Sequence, residues 1–173
     1  MPGAHLTEHL PHTPDDMMDL VTSIEKYPEF LNFVSSMRII GNKQCTANGE
    51  QFEAEMAVSY KMFTERVRCI VQTDNEARTV KVSKADKSGP IKTLTNDWTF
   101  HPMPDGTTLV DLTVDVSLKA FPLNMLVKQK FGEVSDKILS AFKRRAAGQY
   151  RKLDDSGLDV RKEAKALGIK GFA

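Results

Sequence analysis

The sequence predicts an α+β fold in which a curved antiparallel sheet wraps around one long C-terminal helix. Three observations predict it. Between about Ser35 and Leu118, apolar and polar residues alternate with period two, in runs of strand length. The breaks carry hairpin chemistry, at Asn48-Gly49, Ser88-Gly89-Pro90 and Pro104-Asp105-Gly106, spaced too closely for helical crossovers. After Ala120 the period becomes helical and holds to about Tyr150.

The elements follow in chain order. A short N-terminal strand carries His5 and His9, with His12 at its end. Thr13-Pro14-Asp15-Asp16 starts a helix: Thr13 caps, Pro14 suits the first helical position, and the acids favour the positive end. Met17, Leu20, Val21 and Ile24 recur at helical spacing, and Pro28 ends this helix near Tyr27 or opens a second short one. Strand alternation then runs through Phe52, Ala54, Met56, Val58 and Tyr60, and through Val67, Cys69 and Val71. It continues through Val80 and Val82, through Leu94, Trp98 and Phe100, and through Val110 to Leu118. From Pro122, one apolar stripe contains Leu123, Leu126, Val127, Phe131, Val134, Ile138, Ala141 and Phe142, on a helix roughly 40 Å long at 1.5 Å per residue. Residues 1–150 make one domain. Residues 151–173 make a tail, flexible or with a short helix at Asp159–Leu167, carrying too little apolar surface for a core.

A chain of 173 residues builds one core without disulfides or metal. The formal net charge of +1 argues against a surface built wholly for nucleic acid. Cys45 and Cys69 make neither a CxxC nor a zinc pattern, and Cys69 reads as a small buried hydrophobe. The N-terminus lacks signal-peptide character and no run is long enough to span a bilayer. The expectation is a cytoplasmic protein, with peripheral contact at the inner face of the membrane.

Catalytic constellations are weak. His5, His9 and His12 read as a solvated segment rather than a metal site. Asp97 and His101 share a strand face but stand about 13 Å apart along it, beyond reach of a dyad, and opposite Trp98 and Phe100. No nucleophile–base pattern and no glycine-rich phosphate loop stands out, and the expectation is a protein that is not an enzyme.

What remains is apolar. Met56, Val58, Val67, Trp98, Phe100, Leu112, Val114, Phe131, Val134 and Ile138 project between sheet and helix, either as packed core or as the lining of a ligand cavity. The stretch EKYPEFLNFV sets Tyr27, Phe30, Leu31 and Phe33 around Pro28 at a junction, either as a plug on the core or as a lid. Lys143, Arg144, Arg145, Arg151 and Lys152 form a basic group without an acid. It reads either as favourable charge near a helix C-terminus or as a contact for anionic lipid or RNA phosphate.

Four segments in order carry a family resemblance: YPEFL at Tyr27–Leu31, AVSYKMFTERV at Ala57–Val67, GPIKTLTNDWTFHP at Gly89–Pro102 and FGEVSDKILSAFKRRA at Phe131–Ala146. From about Thr7 to Tyr150 the chain resembles the coenzyme Q-binding proteins, with the related ribosome-association toxin branch, of the START/polyketide-cyclase (SRPBCC) superfamily. Asn32-Phe33-Val34 departs from the proline and aromatic or cysteine that relatives often carry there. The resemblance implies a helix-grip fold over a hydrophobic tunnel. It implies ubiquinone or a similar prenyl lipid as ligand, in support of respiration and quinone biosynthesis, without a catalytic centre or catalytic cofactor. On that basis Tyr27, Pro28, Phe30 and Leu31 gate the tunnel mouth, Phe33 is a membrane wedge, and the apolar residues named above line the tunnel. The toxin branch implies an alternative, inhibition of ribosome association through the large subunit, with the Lys143–Lys152 group as its contact. A polyketide cyclase-type activity ranks last, because it needs inward polar side chains where the alternation turns most strand acids outward.

Overall fold

Thr13 begins the first helix as its residue type predicts: its Oγ1 accepts from Asp16 N at 3.1 Å, and Pro14 opens the first turn. The computed structural model describes residues 3–60 and 63–169. Its strands are β1 (Gly3–Leu10), β2 (Val34–Cys45), β3 (Glu50–Tyr60), β4 (Phe63–Asp74), β5 (Thr79–Lys84), β6 (Ile91–Pro102) and β7 (Thr108–Leu118). Its helices are α1 (Pro14–Thr22), α2 (Phe121–Gln149) and α3 (Val160–Ala166), with a 3-10 helix at Ile24–Glu29 that holds Pro28. Lys61 and Met62 lie outside the described residues, as do residues 1–2 and 170–173 and the side chains of Tyr60, Phe63, Phe121 and Leu123.

All pairings are antiparallel, in the order β1-β7-β6-β5-β4-β3-β2. β2 to β7 form a meander, and β1 returns to the far edge against β7. Gly49 is required at the β2–β3 turn, where a Cβ would lie 2.1 Å from Thr73 O. The sheet curves around α2, which is the helix-grip architecture expected from the sequence.

Both edges of the sheet reach α2. From β1, Glu8 accepts from Lys143 Nζ at 2.7 Å; from the 3-10 helix beside β2, Glu29 accepts from Arg145 at 2.9 Å. Tyr150 at the end of α2 donates to Asp19 of α1 at 2.6 Å. Burial, and then that contact, push its phenol pKa well up.

The concave face divides into two halves. Toward α1 it is sealed: Val80, Trp98, Phe100, Val110 and Leu112 pack under Met17, Val21, Phe142 and Ala146, all at 5 % exposure or less. Further along β5, β6 and β7, and on β3, the apolar side chains of Val82, Leu94, Val114, Val116, Met56 and Val58 keep accessible surface. They point to the same face because side chains two apart on a strand share it.

The tail contributes core, contrary to its low apolar content. Ala164 of α3 is 1 % exposed and packs with Met103 and Leu109. Leu109 alternates with Val110, so α3 covers the convex face. A small residue is enough here because it fits against Leu109 and Met103 rather than filling a core alone. His12 is also not solvated. The returning tail buries it, with Nδ1 bonded to Arg151 O at 2.9 Å, while Leu153 N donates to Pro11 O at 2.8 Å.

Candidate functional site

The open half of the concave face is the candidate site. α2 lies across it: Val127 and Ile138 pack against the apolar strands while keeping partial exposure, and Val134 of the same helix is likewise partly exposed. Phe131 is nearly sealed at 9 %, and Val67 at 4 % joins Cys69, Ile91 and Leu118 in a small cluster under Val127. The inward series thus sorts by position. Met56, Val58, Val114, Val134 and Ile138 present surface, whereas Trp98, Phe100 and Leu112 are packed against the core.

Beside Val58 stands the segment Tyr27–Val34, since Phe33 O accepts from Ser59 N at 2.7 Å and Val34 pairs with Val58. Tyr27, Phe30 and Phe142 form an edge-to-face aromatic cluster, joined by Trp98 through Phe142 at 5.1 Å. Tyr27 donates its hydroxyl to Val21 O, and burial pushes its pKa well up. Leu31 is buried, Pro28 half-buried, and Phe33 packs partly against the core. This is a closed wall.

Polar groups on the concave face are few. Lys84, in register with Cys69, is held by Asp86 O and Ser88 O, each at 2.6 Å, and by Asp86 Oδ1 at 3.1 Å. Asp86 is in turn pulled down to about 2, chiefly by its hydrogen bonds from Ser88. Cys69 is pushed up to about 11 by burial, so its thiol is not an activated nucleophile. Asn96 lies inward between Leu94 and Trp98, in register with Val82 and Val114. Sequence reading passed over it, although its parity matches Trp98 and gave the signal.

Outward-facing candidates form a separate set. Asp97 is exposed on the convex face. His101 stands 3.9 Å from Asp111, which also bonds His5. His9 meets Thr107 Oγ1 at 2.7 Å and Asp155 at 3.5 Å. Among the described residues no group of three His, Cys, Asp or Glu side chains is arranged to hold a metal ion. The basic group is divided: Lys143 and Arg145 are in ion pairs, while Arg144, Arg151 and Lys152 are exposed. At the other end of α2, Met125 and Leu126 are exposed at 40 % and 44 %. No helix among the described residues is long and apolar enough to cross a membrane.

A groove of about 620 Å³ opens outside the sheet–helix interior, between α1 and the β2–β3 and β4–β5 turns. Its wall mixes Asp15, Asp19 and Glu50 with Lys43 and Arg78, so it favours neither charge sign.

A family model described as polyketide cyclase/dehydrase and lipid transport matches residues 10–143. The chain is 27% identical to a ribosome association toxin RatA from Rickettsia prowazekii, covering 81% of this chain and 92% of that one. The 18 kDa protein CC1736 from Caulobacter crescentus is 28% identical with a TM-score of 0.69, covering 84% of this chain and 96% of that one. A STAR-related lipid transfer protein from Xanthomonas axonopodis shares the fold at a TM-score of 0.68 and 14% identity, covering 83% and 84%.

Proposed function

The chain belongs to the polyketide cyclase/dehydrase and lipid transport family, and from that premise we propose that it binds ubiquinone or a related isoprenoid lipid between the sheet and α2, as a carrier rather than an enzyme. The observation that carries this reading is the division of the concave face. Apolar side chains under α2 that a packed core would seal keep accessible surface across the open half, whereas the strand centres toward α1 are sealed. Each methylene buried there gains about 0.8 kcal/mol, enough in sum to hold a chain nearly insoluble in water.

In this reading Met56, Val58, Val114, Val134 and Ile138 contact the tail, and the Tyr27–Leu31 wall closes one side. Exposed Met125 and Leu126, with Lys128 two residues on, suit contact with a membrane surface during transfer. No catalytic role is assigned. The inward Asn96 amide does not titrate, and Cys69 stays protonated near neutral pH. Lipid extraction of the purified protein followed by mass spectrometry tests the reading. Protein that carries no prenyl lipid and takes none up from liposomes rejects it.

A second reading has its own support. The chain's 27% likeness to a protein named ribosome association toxin extends over most of both chains. Arg144, Arg151 and Lys152, exposed near the end of α2, would then contact phosphates of the large subunit. Sucrose-gradient profiles with added protein discriminate: unchanged subunit association rejects it.

A further inference from the structure

Among the described residues, two buried side-chain oxygens have no hydrogen-bond partner, Asn96 Oδ1 and Asp115 Oδ1. They differ in place. Asp115 alternates with Val114 and Val116 and so faces the convex side, at the start of the β1 pairing. Asn96 faces the concave side in the open half. Its cross-strand partners Val82 and Val114 and its neighbour Leu94 are apolar and keep accessible surface.

A buried amide oxygen without a donor is a cost that folding alone does not recover. Replacing Asn96 by an apolar residue would remove that cost, so packing gives no reason for an amide there. Lys84, the inward cation across the sheet, is fully engaged by Asp86 and Ser88 and does not reach for a ligand. Apolar pockets with one or two placed polar groups use them to orient the bound molecule.

We propose that Asn96 is the head-group anchor of the interior site and that its Oδ1 accepts a hydrogen bond from a hydroxyl on an otherwise apolar ligand. The ligand class is therefore a hydroxyl-bearing amphiphile, a phenol or quinol with an alkyl or prenyl tail, so that of the prenyl lipids proposed above the reduced quinol is held more tightly than the oxidised quinone or a methylated form. A quinone carbonyl or methyl ether offers Oδ1 no proton and leaves it unpaired. This inference rests on the lipid-binding reading and specifies which end of the lipid the site recognises.

The test uses a long-chain alkylphenol and its methyl ether, which differ in one donated hydrogen bond. Trp98, the chain's one tryptophan, lies two residues from Asn96 on the same face and reports occupancy by fluorescence. Wild-type protein binds the phenol about tenfold more tightly than the ether, the worth of one hydrogen bond to an otherwise unpaired group. Asn96→Leu binds both with the affinity wild type shows for the ether, and unliganded it melts no lower than wild type. A merely structural asparagine would instead lower the melting temperature on substitution. Equal binding of phenol and ether by wild type overturns the anchor while leaving lipid binding intact, and needs no variant. A preference that survives in Asn96→Leu also overturns it. Failure of wild type to bind either molecule overturns the lipid-binding reading itself.

Discussion

Phe30 and Phe142 meet edge to face, with ring centroids 5.1 Å apart. The contact joins the junction segment to the C-terminal part of the gripped helix. The Arg145 guanidinium lies 5.3 Å from the Phe30 centroid and covers the outer side of the ring. Phe30 is therefore held on both sides, an arrangement that fits a plug rather than a lid. Phe30→Ala is expected to lose about 2 kcal/mol, below the 3–5 kcal/mol of a fully buried ring. Urea denaturation measures this, and lipid uptake per folded molecule should be unchanged. Lost uptake with intact stability would make the ring a gate instead.

Glu8–Lys143 and Glu29–Arg145 clasp α2 from opposite edges of the sheet. Both pairs are partly exposed, so each double-mutant cycle is expected to return about 0.5 kcal/mol, less at high salt. Arg145→Ala should cost more than Lys143→Ala, because it also uncovers Phe30. Substituting Arg144, Arg151 and Lys152 together should leave stability within about 0.5 kcal/mol. Anion-dependent binding, to vesicles or ribosomes, should fall.

The strands and α2 were legible in the sequence because each has one apolar side at a fixed period. The period shows which side chains face inward but not how tightly each is covered. Trp98 and Val114 share a face, yet α1 and Phe142 seal the first and leave the second accessible. That depends on where two helices land on a curved sheet, which local pattern does not encode. His12 and Ala164 were misjudged for a related reason. Their burial comes from the tail folding back over the end of β1 and the convex face, a long-range contact made by segments with weak periodicity. Asn96 was legible by parity but is a single polar letter in an apolar series.

The two cysteines should react differently. Cys45 is exposed and is expected to label rapidly with a thiol reagent at pH 8, whereas Cys69 should label only on unfolding. Burial raises Cys69 from 9.0 to about 11, with Lys84 pulling slightly the other way. The unfolded chain therefore ionises first. The associated stability is intact below about pH 9 and is lost as pH rises toward about 11, by about 3 kcal/mol. Cys69→Ala should show a shallower decline over that window in pH-dependent denaturation.

Removing α3 should damage the domain it covers. Truncation after Asp155 would expose Leu109 and Met103, now 0% and 6% accessible. The expected cost is about 2 kcal/mol, with increased binding of a hydrophobic dye. Ala164→Asp should cost about the same, because α3 would undock before burying an unpaired carboxylate. Limited proteolysis should then cleave the tail first. Unchanged stability in both variants would make 1–155 an independent unit.

Leu112 and Val114 give the sharpest test of whether the interior is open. They are two residues apart on β7, face the same way, and pair with Trp98 and Asn96 respectively. Leu112 is sealed at 1 %, so enlarging it must displace packed neighbours. Leu112→Phe is expected to cost about 1–3 kcal/mol. Val114 has accessible surface beside Asn96, so a larger ring there enters unfilled space. Val114→Phe should leave stability within about 0.5 kcal/mol, yet reduce lipid uptake by occupying the ligand's volume. Denaturation curves and liposome uptake on the two variants give the comparison. Equal destabilisation would mean that the concave face is packed throughout and holds no lipid. Unchanged uptake in a stable Val114→Phe would move the ligand elsewhere under α2.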